Sequence, residues 1–156
     1  MRVVSVLGLD VGSKRIGVAG CDPTGLIASG LETIVRCNLG ADLDAIRHWI
    51  ERRRAQAVVI GLPRNMNGSL GPQAHRIQHF GQQLARVIDV PIDYVDERLS
   101  TVQAGRALQS VSATRRKALI DQQAAAIILQ QWLDIRRCQH RPTQESLDER
   151  HIDTER

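Results

Sequence analysis

A chain of 156 residues with 42% hydrophobic content is long enough for one domain with a sizeable core and too short for two large ones. No stretch approaches the roughly 18 apolar residues of a membrane span, and no secretory leader pattern is visible. Cys21, Cys37 and Cys138 are too few and too far apart for a disulfide framework or a structural zinc site, so a soluble, cytoplasmic protein with no membrane partner is expected.

Val3–Leu9 reads as a buried strand, Gly12-Ser13 as a tight turn and Arg15–Cys21 as a second strand. Asp22-Pro23-Thr24-Gly25 is another turn, leading into a third strand over Leu26–Val35. Short links between consecutive strands imply an antiparallel meander. Leu43, Ile46, Trp49 and Ile50 then recur at helical spacing across Leu39–Arg54. Ala57–Ile60 is a short buried strand stopped by Gly61-Leu62-Pro63, and Arg64–Gly71 is a polar loop. Pro72–Ile88 is helical by period, Ile92–Val95 is a strand, and Ser100–Leu108 is a helix with Ser100 as its N-cap. Val111–Arg116 reads as a polar connector and Lys117–Asp134 as a long helix. From Arg137 the chain is polar and aperiodic, which assigns residues 1–136 to the domain and 137–156 to a disordered tail. The order β-β-β-α-β-α-β-α-α predicts an α/β fold: a mixed sheet with a three-stranded meander and helices on its faces.

The net charge is +4, and it is unevenly spread. Residues 1–139 carry 18 Lys and Arg against 12 acids, while the remainder carries three Arg against five acids. All basic residues but Lys14 and Lys117 are Arg, whose planar fork suits phosphate. A polyanionic partner fits this composition, as does a genome rich in Arg codons. With Trp49, Phe80, Tyr94 and Trp132 as the only aromatics, base stacking has little to work with. A nucleic acid would be held mostly by its backbone.

Three acids sit in unexpected places. Asp10 interrupts the first strand, where an ionised carboxylate costs several kcal/mol unless it is paired. Asp96 and Glu97 close the strand Ile92–Val95, and Asp121 lies among Leu119, Ile120 and Ala124 of the last helix. In open α/β sheets working residues gather beyond the carboxyl ends of the strands. A carboxylate cluster there repels itself unless a hard divalent cation, Mg²⁺ or Mn²⁺, sits within it. Asp10 could instead cap its turn, Asp96 suits a turn better than a ligand, and spacing alone does not join the three. His75 and His79 share a helix face, but no Glu follows His75 as in a zinc-protease pair.

Four stretches in order, LGLDVGSKRIGVA (Leu7–Ala19), VIGLPRNMNGSLGPQA (Val59–Ala74), VDERLSTVQA (Val95–Ala104) and IDQQAAAIILQQWLD (Ile120–Asp134), resemble the YqgF family of Holliday junction resolvases and pre-16S ribosomal RNA nucleases. The resemblance implies a ribonuclease H-like fold and metal-dependent hydrolysis of a nucleic-acid backbone. It carries the family's acids onto Asp10, Glu97 and Asp121, which would hold Mg²⁺ or Mn²⁺ and act as the catalytic set. Lys14, Arg15 and Arg98 flank those acids and would hold phosphate oxygens. Arg64, Asn65 and Asn67 fall in the loop beyond Ile60, and Arg115, Arg116 and Lys117 precede the Asp121 helix; all six are candidate backbone contacts. Asn67 departs from the family, which more often has Asp there. The substrate, structured RNA or branched DNA, stays open, as does a homodimer. Two other readings compete: a non-catalytic RNA-binding assembly factor, which would gain nothing from clustered acids, and an actin-like or sugar-kinase ATPase, which shares the opening strand, Asp and glycine turn but needs two such domains.

Overall fold

Alternation along the first strand sets the architecture. The computed structural model describes residues 3–97 and 113–140, in which β1 (Val6–Val11), β2 (Arg15–Cys21), β3 (Ala28–Val35), α1 (Leu39–Arg53), β4 (Ala57–Leu62), α2 (Pro72–Ala85), β5 (Ile92–Asp96) and α3 (Ala113–His140) follow in order. In β1, Leu7, Leu9 and Val11 point to one side of the sheet, where they pack with Leu43 and Ile46 of α1 and Ile77, Phe80 and Leu84 of α2. Val6 points to the other side, against Ala125, Ile128, Leu129 and Leu133 of α3. Gly8 and Asp10 share that side. Each fully buried Leu or Ile contributes roughly 1.5–3 kcal/mol, so the two layers hold the sheet between them.

The sheet runs β3-β2-β1-β4-β5. β1 pairs antiparallel with β2 and β2 with β3, giving the expected meander, while β4 lies parallel to both β1 and β5. The carboxyl ends of β1, β4 and β5 therefore open on one edge.

Several boundaries differ from the sequence reading. β3 begins at Ala28 rather than Leu26, because Asp22 takes the N–H groups of Leu26 and Ile27 into its turn. β4 runs two residues longer, to Leu62, since only Pro63 lacks the N–H a ladder needs. α2 stops at Ala85, three residues early, as the chain turns toward Pro91, whose carbonyl accepts from Val58 N–H. The last helix is the largest correction. It starts at Ala113, inside the expected connector, and continues to His140, inside the expected tail. The guanidinium of Arg136 lies over the Trp132 ring and Arg137 pairs with Asp134 one turn back, so polar residues extend the helix past its apolar stripe. The helix expected over Ser100–Leu108 lies outside the described residues.

Helix α3 approaches the sheet closely because strand glycines receive it. A Cβ built on Gly8 would stand 2.7 Å from Leu129 Cβ and 2.8 Å from the Ala125 carbonyl oxygen. Neither neighbour is the end of a flexible side chain, so Gly8→Ala must push α3 outward. It is expected to cost about 1–3 kcal/mol and lower the melting temperature by several degrees. Gly40→Ala, whose new Cβ meets nothing nearer than Asn38 Oδ1 at 3.5 Å, should be neutral or stabilising in the same thermal unfolding experiment.

Candidate active site

Asp10 is the next-to-last residue of β1, half-buried and in register with Gly17 of β2. Gly17 leaves room for backbone. A methyl group there would overlap the carbonyl oxygen of Asp121, so α3 rests on β2 at the position facing Asp10. That contact delivers Asp121 to the end of β1. Glu97 arrives by strand alternation. Its N–H donates to the Leu62 carbonyl at 3.0 Å, which continues the β4–β5 pairing one residue past β5. Val95 faces α3 and so does Asp93, whose carboxylate accepts from Trp132 Nε1 at 2.8 Å. Glu97 follows on the same side, while Asp96 points away and is exposed.

The three carboxyl groups act on one another. Burial, and secondarily the charge of Asp121, push the Asp10 carboxyl up to about 6, while a hydrogen bond between Asp10 and Glu97 pulls the other way. Asp121 is turned toward Arg15, whose Nε donates to Oδ2 at 2.6 Å between two half-buried side chains. Among the described residues no three His, Cys, Asp or Glu side chains stand as a ready-made metal-ligand set. The donor chemistry nonetheless suits a hard cation: the oxygens are carboxylate oxygens, and Arg15 alone leaves Asp10 in a field that disfavours its charge.

Lys14 is exposed at the tip of the turn joining β1 to β2, which is closed by Gly12 N–H to the Arg15 carbonyl at 2.8 Å. A brace that sequence reasoning missed holds this turn from the other side of the sheet. Arg36 donates from its backbone N–H to the Lys14 carbonyl at 2.9 Å and from Nη1 to the Gly12 carbonyl at 2.9 Å. Its Nε reaches Asp42 Oδ2 at 3.1 Å, and its guanidinium lies 5.1 Å from the Phe80 ring centre. Asp42 is 3% exposed and also accepts from Cys37 N–H. The available signal was an acid one turn before Ile46, on the apolar stripe of α1.

The remaining candidates divide. In the loop after β4, Asn65 Nδ2 donates to Ser69 Oγ at 3.0 Å, and Asn67 Oδ1 accepts from both the N–H and the hydroxyl of Ser69. These two side chains fold the loop on itself. Asn67 acts there only as an acceptor, a role that Asp would fill equally. Arg64 donates to the Gly68 carbonyl at 3.3 Å and keeps an exposed guanidinium. Arg115 and Lys117 are exposed and Arg116 is half-buried on the first turns of α3, with Lys117 one turn before Asp121. Arg115 and Arg116 are helical, where a connector was expected, and Lys117 is helical as expected. Arg98 lies outside the described residues.

A mixed sheet in this strand order, with an acid at the end of its central strand, is the ribonuclease H-like fold. The solved Thermus thermophilus RuvC in complex with Holliday junction substrate shares it: TM-score 0.53 and 18% identity, covering 85% of this chain and 95% of that one. The family model described as "RuvX: Holliday junction resolvase" matches residues 4–135. A Picosynechococcus protein named "Putative pre-16S rRNA nuclease" is 54% identical over 144 residues, covering 91% of this chain and all of its own. A Nostoc protein of the same name is 52% identical over 138 residues, covering 87% of this chain and 91% of its own. The chain belongs to the RuvX family, the YqgF family of the sequence resemblance, and its activity class is nuclease.

The raised Asp10 carboxyl makes stability depend on pH. Its ordinary value is 3.8 and its value in the fold about 6, so the folded protein holds the proton over that interval. The stability this contributes is fully present below the lower value and is lost as pH rises through the higher one. Asp10→Asn, which mimics the protonated form, should therefore stabilise the metal-free protein at neutral pH by up to about 3 kcal/mol. The gain should shrink toward zero on acidification below about pH 4, as read by urea unfolding with chelator present.

Proposed function

We propose that the protein hydrolyses phosphodiester bonds in structured RNA, trimming the 5′ end of the 16S ribosomal RNA precursor, with Asp10, Glu97 and Asp121 as its catalytic set. The observation that supports this is the meeting of three acids from β1, the end of β5 and α3 around a carboxyl group whose charge the site disfavours. The names of relatives that align over their full length support the RNA substrate. The description of the family model supports a second one, the four-way DNA junction. A junction cutter works as a two-fold dimer, so a homodimer belongs to that second reading.

Asp10, Glu97 and Asp121 would hold Mg²⁺ or Mn²⁺, which supplies charge neutralisation and an activated water. Asp10 and Glu97 would also orient the attacking water by accepting hydrogen bonds from it at their carboxylate oxygens. Arg15 exchanges its bond to Asp121 for a non-bridging oxygen of the scissile phosphate, and Lys14 at the tip of the same turn holds a neighbouring oxygen. Arg64, Arg115 and Lys117 contribute phosphate contacts along the backbone, and Arg98 and Arg116 complete the basic surface.

Asp10→Asn should reduce cleavage by more than the roughly 10–100-fold that loss of a mere outer partner costs at a metal site, while binding is kept or tightened because a negative charge is gone. Purified protein assayed on precursor 16S RNA and on a four-way DNA junction, with Mg²⁺, Mn²⁺ or chelator, checks this. Wild-type cutting rates in the variant would refute the carboxylate assignment. Tight binding without nicking under every condition would favour an assembly factor.

A further inference from the structure

We propose that the cleft beneath the turn joining β1 to β2 is a second phosphate site, which grips the nucleic-acid backbone beside the cleavage point. A cleft of about 450 Å³ opens there, on the side of the sheet away from the carboxylates but at the same edge. Its lining includes Gly12 and Ser13 of the turn, Arg36 and Asn38 between β3 and α1, and Gln73 and Arg76 of α2. The inference rests on the nuclease reading and adds to it where the strand is held.

The charges of the lining favour an anion. Among the described residues Asp42 is its one acid, and that carboxylate is taken up by Arg36 Nε and Cys37 N–H. Arg36 uses Nε and Nη1 in the brace, which leaves Nη2 without a hydrogen bond among the described residues. Arg76 is exposed and forms no ion pair among the described residues. Gln73 and Ser13 add uncharged donors at the rim. Two guanidiniums facing one concavity, one of them fixed by a buried carboxylate and an aromatic ring, present a preorganised fork for phosphate. The volume is ample for a phosphate with its sugar. No aromatic side chain lines the cleft, so recognition there is of backbone and not of sequence.

The position gives the site its purpose. The same four-residue turn carries Arg15 to Asp121 and offers Gly12 and Ser13 to the cleft. A strand bound on both sides of the turn is fixed against sliding, which sets the distance between the gripped phosphate and the bond that is cut.

The test measures affinity and its salt dependence for full-length protein on precursor 16S RNA and on a four-way DNA junction, with Ca²⁺ replacing the catalytic cation. Arg76→Ala should weaken binding about 5–10-fold near 0.1 M salt and flatten the slope of log K against log salt by about one. Gln73→Glu, which places a negative charge in the cleft, should weaken it similarly. Arg86→Ala, at the exposed far end of the same helix, should change neither quantity. The proposal is overturned if Arg76→Ala binds like the wild type, or if Arg86→Ala loses as much. Wild-type protein that binds neither substrate would overturn the nuclease reading along with it. Loss in only one of the two substrate arms supports the cleft and identifies the nucleic acid it serves.

Discussion

Everything at the candidate site depends on how closely one helix can lie on one strand. Gly17 has no side chain, so the backbone of α3 at Asp121 settles directly onto β2, opposite Asp10. Gly8 and Gly61 admit Leu129 and Ile128 of the same helix farther along, so the approach is maintained across the sheet and not at one point. Interiors are close-packed, and a single methyl group on that seam would displace the carboxylate together with the helix. The packing seam and the chemical site are thus the same contact, viewed from two sides.

The cost of gathering acids is spread over both faces of the sheet. On the α3 face, Arg15 takes one oxygen of Asp121, and a hydrogen bond to Glu97 steadies Asp10. On the other face, half-buried Arg36 paired with buried Asp42 ties the turn to α1 and α2. Removing Arg36 would leave the Asp42 charge buried without its partner, which is strongly destabilising. The pair is better understood as fixing geometry than as adding stability. It holds the turn residues in place while the carboxylates across the sheet repel one another.

The sequence carried the order of elements along the chain, the antiparallel meander, the three elements that bear Asp10, Glu97 and Asp121, and the resemblance that joined them. Periodicity sufficed for the two layers because β1 alternates cleanly and α1 and α2 each present one apolar stripe. It failed at the ends of the last helix, where apolar spacing stops before the helix does and Arg136 and Arg137 take over through contacts with Trp132 and Asp134. Asn65 and Asn67, read from the sequence as backbone contacts, also bond within their own loop, which the sequence reading did not foresee. Asn and Asp commonly bond to nearby backbone in this way. Glycines inside buried strands were the overlooked signal. At Gly8 and Gly17 they mark close approach of another backbone, and reading them so would have placed α3 over β2 without any coordinates.

The order in which the elements are made has a consequence of its own. Asp10 and Glu97 are translated before α3, and α3 alone brings Asp121 and covers its face of the sheet among the described residues. A nascent chain that has emerged only through β5 carries two of the three carboxylates and an open apolar surface in place of a seam. On the proposed assignment of Asp10, Glu97 and Asp121, competence to cut waits for the closing helix, and an unfinished copy still held on the ribosome is inert.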